Sequence, residues 1–234
     1  MKDLTPNPSP TGEGRKIILA SASPRRQQLL RELGIDFTAE VKPIDETAPK
    51  ELKAQEIPLY LSQLKAAEFK NTIDDNTIVI TADTIVWINE KEIGKPKDYA
   101  DAVNMLKTLS GNMHKVFTGV TLTSKDKSHS FFVATKVYFK KLSDTDISDY
   151  ITTYKPFDKA GSYGLQEFLS AGVNPCSDEE NEFLKIIGKP KLYEATLQGT
   201  HEQSPDFGIQ KIEGSYFNVM GLPLKELYEE LGKF

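Results

Sequence analysis

Apolar and polar positions change period several times along the chain, and each change predicts an element. Lys16-Ile17-Ile18-Leu19-Ala20-Ser21 is a short apolar run of strand type, followed by a helix with Leu29, Leu30 and Leu33 on one face. Ser23 is placed to cap that helix, Pro24 suits its first turn, where the missing N–H costs nothing, and Gly34 ends it. Residues 41–47 read as extended, and a helix follows Pro58 through Leu59, Leu61, Leu64 and Ala67. The segment TIVITADTIVWI, residues 77–88, is nearly continuous and β-branched, as a strand buried on both faces should be. Asp83 and Thr84 interrupt it, and Asn89 to Lys91 supply a turn.

Asp98 caps a helix carrying Ala102, Met105, Leu106 and Leu109, which stops at Gly111. Two strands, 115–122 and 131–139, flank a charged turn, and Ser143 with Asp146 has the capping-box spacing for a helix to about Tyr154. From about 168 to 205 the pattern weakens and reads as an inserted, partly ordered excursion. Strands resume at 208–212 and 216–219, and Pro223 opens a closing helix through Leu227 and Leu231. This alternation predicts an α/β fold, a mixed, twisted central sheet flanked by helices. The expected organisation is one domain over 15–234 with an insertion at about 168–205, after a flexible tail, 1–14, rich in Pro, Gly, Ser and Thr.

Composition narrows the function classes. Against 29 basic residues stand 34 acidic ones, a net charge of -5, which argues against binding a nucleic-acid polymer but leaves room for one small basic pocket. A single cysteine, Cys176, excludes an internal disulfide framework and fits a reducing compartment. No apolar run approaches the roughly 18 residues of a membrane span, and the N-terminus has no apolar core of a secretory signal. The expected location is the cytoplasm.

Asp83 is the first chemical anomaly. An ionised carboxylate inside an apolar strand costs several kcal/mol, roughly, unless it is paired or bound to a cation. Alone, it reads equally as a structural acceptor for a backbone N–H or as a general base or metal ligand. Arg25 and Arg26 sit where a strand opens into a helix N-terminus. The macrodipole makes a cation there unfavourable by about 0.3–1 kcal/mol, so two of them suggest an anionic ligand. Glu46 and Lys65 carry little signal alone, whereas Lys95 is aimed by Gly94 and Pro96 on either side. In the polar loop 158–166, Tyr163 and Gln166 are residue types that read a nucleobase edge. GxxxxGK[ST], GxGxxG and GxSxG are all missing. His114, His129, His201 and Cys176 are too scattered for a zinc site, and Cys176 has no activating partner in view.

Taken in order, ILASASPRR at 18–26, TADTIVWI at 81–88, the long run 94–122, DKAGSYGLQ at 158–166 and GSYFNVMGLPL at 214–224 resemble the Maf family of nucleotide pyrophosphatases. The resemblance implies a Maf/ITPase-like architecture, cleavage of a nucleoside triphosphate to the monophosphate and pyrophosphate, a divalent cation (Mg²⁺ or Mn²⁺) and a homodimer. Carried over, it makes Asp83 the catalytic acidic residue, with Glu46, Lys65 and Lys95 as the other acidic and basic groups of the pocket. Asp83 with Glu46 would hold the cation or activate the attacking water, two roles the sequence leaves open, and Ser21 and Arg26 would contact phosphate. Arg25, Thr84 and Gln166 match the positions that mark the dTTP/UTP-preferring subgroup. Two alternatives stay open: a house-cleaning enzyme for modified pyrimidine nucleotides, and a nucleotide-binding regulator of cell division with little turnover. Glu167 departs from the family, which commonly has Gly there; so acidic a residue beside the base-reading loop should point away from phosphate or reshape the loop.

Overall fold

The computed structural model describes residues 14–169, 174–196 and 208–234. Its centre is a mixed seven-stranded sheet: β1 (Lys16–Leu19), β2 (Thr38–Ala39), β3 (Thr77–Ile88), β4 (Lys91–Ile93), β5 (Met113–Thr123), β6 (Ser128–Phe139) and β7 (Ile209–Glu213). The order is β2-β1-β3-β5-β6-β7, with β4 paired to β3; β2, β1 and β3 run parallel and the other pairings are antiparallel. The helices are α1 (Pro24–Leu33), α2 (Glu56–Ala67), α3 (Tyr99–Leu109), α4 (Asp144–Tyr154), α5 (Asp178–Ile186), α6 (Tyr216–Val219) and α7 (Leu224–Leu231). The mixed α/β fold with flanking helices is the one the sequence predicts.

The alternation of side chains along β3 divides the core. Ile78, Ile80, Ala82, Val86 and Ile88 pack into the main cluster with residues of α1, α3, α4 and α7, while Val79 and Ile85 point the other way, Val79 toward Phe69 and Ile85 toward Ile57 and Leu61 of α2. Helix α2 lies unusually close to β5. A Cβ on Gly119 would sit 2.4 Å from Pro58 O and 2.5 Å from Leu59 N, so only glycine fits there. Gly119 is the register partner of Asp83.

Local signals place the helix ends. Ser23 caps α1 and Gly34 closes it at φ 85°; Asp98 caps α3; Ser143 and Asp146 form the capping box of α4. Asn89 and Glu90, both at positive φ, form the two-residue turn of a β3–β4 hairpin, so the expected turn runs straight into a short strand the pattern does not reveal.

One expected strand is a helix. Residues 216–219 form α6, because Ser215 accepts the N–H of Asn218 and Glu180 accepts those of Tyr216 and Phe217, a tertiary cap that overrides the strand preference of aromatic and β-branched residues. Within 168–205, the described residues include α5, with its own capping box from Ser177 and Glu180; Phe183, Leu184 and Leu192 belong to the main core. The rest of that stretch, 170–173 and 197–205, and all of the expected tail but Gly14, lie outside the described residues. No helix among the described residues is long and apolar enough to cross a membrane.

Candidate functional site

Unequal strand lengths create the site. β1 ends opposite Ile80, and β4 first pairs at Val86, so between them no strand among the described residues covers that edge of β3. A cleft of ≈ 700 Å³ opens beside this bare edge, at the C-terminal end of β1. All nine candidates from the sequence line it: Ser21, Arg25 and Arg26 from the β1–α1 turn, Glu46 and Lys65 from one wall, Asp83 and Thr84 from β3, and Lys95 and Gln166 from two loops. The geometry brings together residues up to 145 positions apart in the chain (Ser21 to Gln166).

The acidic centre is a bridged pair. Lys65 Nζ donates to Asp83 Oδ1 at 2.7 Å and lies 3.2 Å from Glu46 Oε2. The Lys65 and Asp83 side chains are 15% and 14% exposed and the Glu46 side chain is 58% exposed, so the inner ion pair is the stronger one. Lys65 lies on α2, the same helix whose first turn packs over Gly119, the register partner of Asp83.

Arg26 faces this pair from the start of α1. Its Nε donates to Gly221 O at 2.8 Å, Nη2 to Thr84 Oγ1 at 3.0 Å and Nη1 to Ser21 Oγ at 3.4 Å. Burial lowers its pKa, and the charge on Asp83 pulls the other way. Thr84 Oγ1 is in turn 2.9 Å from Thr118 Oγ1. Arg25 also lowers the pKa of Arg26 by like-charge repulsion, which an anion between them would relieve. Lys95 makes no ion pair among the described residues, and its loop is fixed by Gly161 N–H donating to Gly94 O at 2.9 Å.

The loop that carries Gln166 is buried from Gly161 to Phe168. Gln166 is 2% exposed, and its Oε1 has no hydrogen-bond partner among the described residues, an orphan acceptor at a cleft wall. Glu167, 3% exposed, turns inward: it accepts the Tyr150 hydroxyl proton and lies 3.3 Å from Lys159 Nζ. Gly164 admits it, since a Cβ there would meet the Glu167 carboxylate at 2.8 Å. The loop is therefore built around Glu167, whose charge is offset by Lys159. Tyr163 Oη bonds His114 Nε2 at 2.7 Å, and burial drives the His114 pKa down to about 3, so the imidazole is neutral at ordinary pH.

Sequence reasoning passed over Glu92, Lys159, Thr118 and Gly221. Glu92 lines the cleft from β4, and burial followed by the charge on Asp83 raises its pKa. Thr118 and Gly221 act through contacts with residues far away in the chain, and Lys159 through Glu167 within one irregular loop that has no periodic pattern.

Among the described residues no group of three or more His, Cys, Asp or Glu side chains is arranged to hold a metal ion. The carboxylates of Asp83 and Glu46 reach the same ammonium, Lys65 Nζ, at 2.7 and 3.2 Å, so they stand close enough together to share a cation. That fits Mg²⁺ or Mn²⁺, which take one or two carboxylates and complete their shell with water and substrate phosphate.

The sequence matches the Maf-like protein family over residues 16–191. It is 45% identical over 222 residues to a dTTP/UTP pyrophosphatase of Phocaeicola vulgatus, covering 94% of this chain and 97% of that protein. A dTTP/UTP pyrophosphatase of Christiangramia forsetii is 41% identical over 219 residues, 94% of each chain. Among solved structures, the Ham1 protein of Staphylococcus aureus aligns with 13% identity and a TM-score of 0.40, over 53% of this chain and 71% of that one. A nucleoside-triphosphatase (dITP/XTP pyrophosphatase) of Mycobacterium abscessus aligns with 13% identity and a TM-score of 0.32, over 53% and 73%.

Proposed function

The chain belongs to the Maf-like protein family, and from that membership and the cleft we infer a nucleoside triphosphate pyrophosphatase that hydrolyses dTTP and UTP to the monophosphate and pyrophosphate. The observation that carries the reading is the placement of one lysine-bridged carboxylate, Asp83, in the same cleft as a multiply anchored arginine, Arg26.

A triphosphate carries about four negative charges, and phosphoryl chemistry is mostly positioning and charge stabilisation. Arg26 and Ser21 bind phosphate at the start of α1, and Lys95 adds a further cation from its fixed loop. A divalent cation held by Asp83 and Glu46 offsets phosphate charge when bound. Asp83 takes a proton from the water that attacks the α-phosphorus. The bond from that phosphorus to its bridging oxygen breaks, and pyrophosphate leaves with the electron pair. Lys65 fixes the carboxylate for that transfer.

Base selection falls to Arg25, Thr84 and Gln166. Uracil and thymine present acceptor, donor and acceptor in a row, and the Gln166 carboxamide, with its orphan Oε1, matches a donor–acceptor stretch of that edge. The reading extends to a cytoplasmic homodimer, to be checked by light scattering in solution and by cell fractionation.

Pyrophosphate release from dTTP, UTP, CTP and GTP, with Mg²⁺ and with a chelator, tests the proposal. Metal-dependent turnover of dTTP and UTP well above that of CTP and GTP is expected. Intact dTTP after hours with Mg²⁺ refutes it.

A further inference from the structure

Outside the cleft, one buried carboxylate gathers four hydrogen bonds. Glu180 of α5 is 2% exposed. Its Oε2 accepts the Ser177 N–H at 3.1 Å and the Tyr216 N–H at 2.9 Å; its Oε1 accepts the Ser215 hydroxyl at 2.6 Å and the Phe217 N–H at 3.3 Å. Three of these donors belong to the start of α6, where backbone N–H groups have no partner inside the helix. Glu180 thus ties α5 to α6. Anchoring α5 alone would not require this, because Phe183 and Leu184 already fix it in the core.

Helix α6 holds Arg26 by two routes. Gly221 O, just beyond its end, accepts Arg26 Nε at 2.8 Å. Asn218 O accepts the Thr118 hydroxyl at 2.9 Å, Thr118 bonds Thr84 at 2.9 Å, and Thr84 accepts Arg26 Nη2 at 3.0 Å. The Asn218 side chain locks this arrangement by donating to Val116 O at 3.1 Å and to Thr135 Oγ1 at 2.9 Å. Two of the three nitrogens of the guanidinium are therefore held through α6, leaving Nη1 with only its 3.4 Å contact to Ser21.

We propose that Glu180 is a positioning residue for the nucleotide: by capping α6 it fixes Gly221 and Thr84, and through them the orientation in which Arg26 presents Nη1 to the triphosphate. The proposal rests on the pyrophosphatase reading for the identity of the ligand, though not for the geometry of Arg26.

Glu180→Gln keeps the shape and the Oε1 acceptor but sets an NH₂ group against the N–H groups of Ser177 and Tyr216. Binding of the non-hydrolysable α,β-imido analogue of dTTP, with Mg²⁺, is measured by calorimetry for the wild type, Glu180→Gln, Arg26→Ala and the double variant. Glu180→Gln is expected to weaken binding roughly tenfold, and to add nothing once Arg26 is gone. Wild-type affinity in Glu180→Gln, or the same loss with and without Arg26, overturns the proposal. Glu180→Asp keeps the charge but draws the carboxylate back from α6 by one methylene, and should show a loss with the same dependence on Arg26, which decides the matter if Glu180→Gln does not fold. A second readout needs no nucleotide: the Arg26 Nε–H resonance, protected from exchange in the wild type, should lose protection in Glu180→Gln. If the wild type neither binds nor cleaves dTTP, the functional reading fails, and this resonance still decides whether Glu180 positions Arg26.

Discussion

Gly119→Ala reports on how the fold assembles the site. The added methyl would lie 2.4 Å from Pro58 O, where ordinary contact begins near 3.4 Å, so α2 must lift from β5 by about 1 Å. Added to the 2.7 Å bond between Lys65 and Asp83, that displacement stretches it to at most about 3.7 Å, beyond hydrogen-bond reach. In a strand without a neighbour, alanine in place of glycine would stabilise by about 0.5–1 kcal/mol. Overpacking works against this with a cost of about 1–3 kcal/mol, so the net change runs from about zero to a loss of roughly 2.5 kcal/mol. For a chain of this size each kcal/mol lowers Tm by about 2–4 °C. A shift of about 1 Å in a positioning group costs up to roughly 100-fold in rate. Thermal melting and kcat/KM from pyrophosphate release, taken well below the variant's Tm, measure the two effects. A variant with an unchanged or raised Tm and wild-type kcat/KM would show that the α2–β5 spacing does not set the Lys65–Asp83 contact.

Asp83→Asn keeps the size of the side chain and removes the base, and kcat should fall by about 10²–10⁴ with a wild-type circular dichroism spectrum; near-normal turnover would remove Asp83 from the chemistry. Tyr150→Phe deprives the buried Glu167 of a donor and the Gly164 N–H of its 3.0 Å acceptor, for a cost of about 1–3 kcal/mol in urea unfolding. The loosened loop should raise KM for dTTP more than it lowers kcat, and equal changes in both would count against a base-reading role. His114 is held neutral in the folded state, with its pKa near 3 because of burial, while the unfolded chain takes up a proton near pH 6.5. Its contribution to stability is full above pH 6.5 and drains away as pH falls toward 3, about 2 kcal/mol of it between pH 7 and 5. His114→Gln should lack that component in urea titrations at the two pH values, and an unchanged pH dependence would refute the assignment.

The sequence by itself determined the local structure. The apolar run of β3, the cap and proline of α1, Asp98 before α3 and the capping box of α4 all act within a few residues, so their physics is complete in a short window. It also isolated Asp83 as a carboxylate in an apolar strand, and the order of five motifs made one site of nine scattered residues. Residues 216–219 show the limit, since they read as a strand and are held helical by Glu180, 36 positions earlier. Glu167 shows it again: the sequence marks an acidic residue beside the pocket, but its inward turn depends on Tyr150, Lys159 and the missing side chain of Gly164. Only the tertiary structure decided that β1 stops short of β3 and bares its edge, that α2, packed over Gly119, sets Lys65 against Asp83, and that α6 holds Arg26. Each depends on contacts between residues 18 to 195 positions apart, set when the packed layers meet and by nothing within one segment's own neighbourhood.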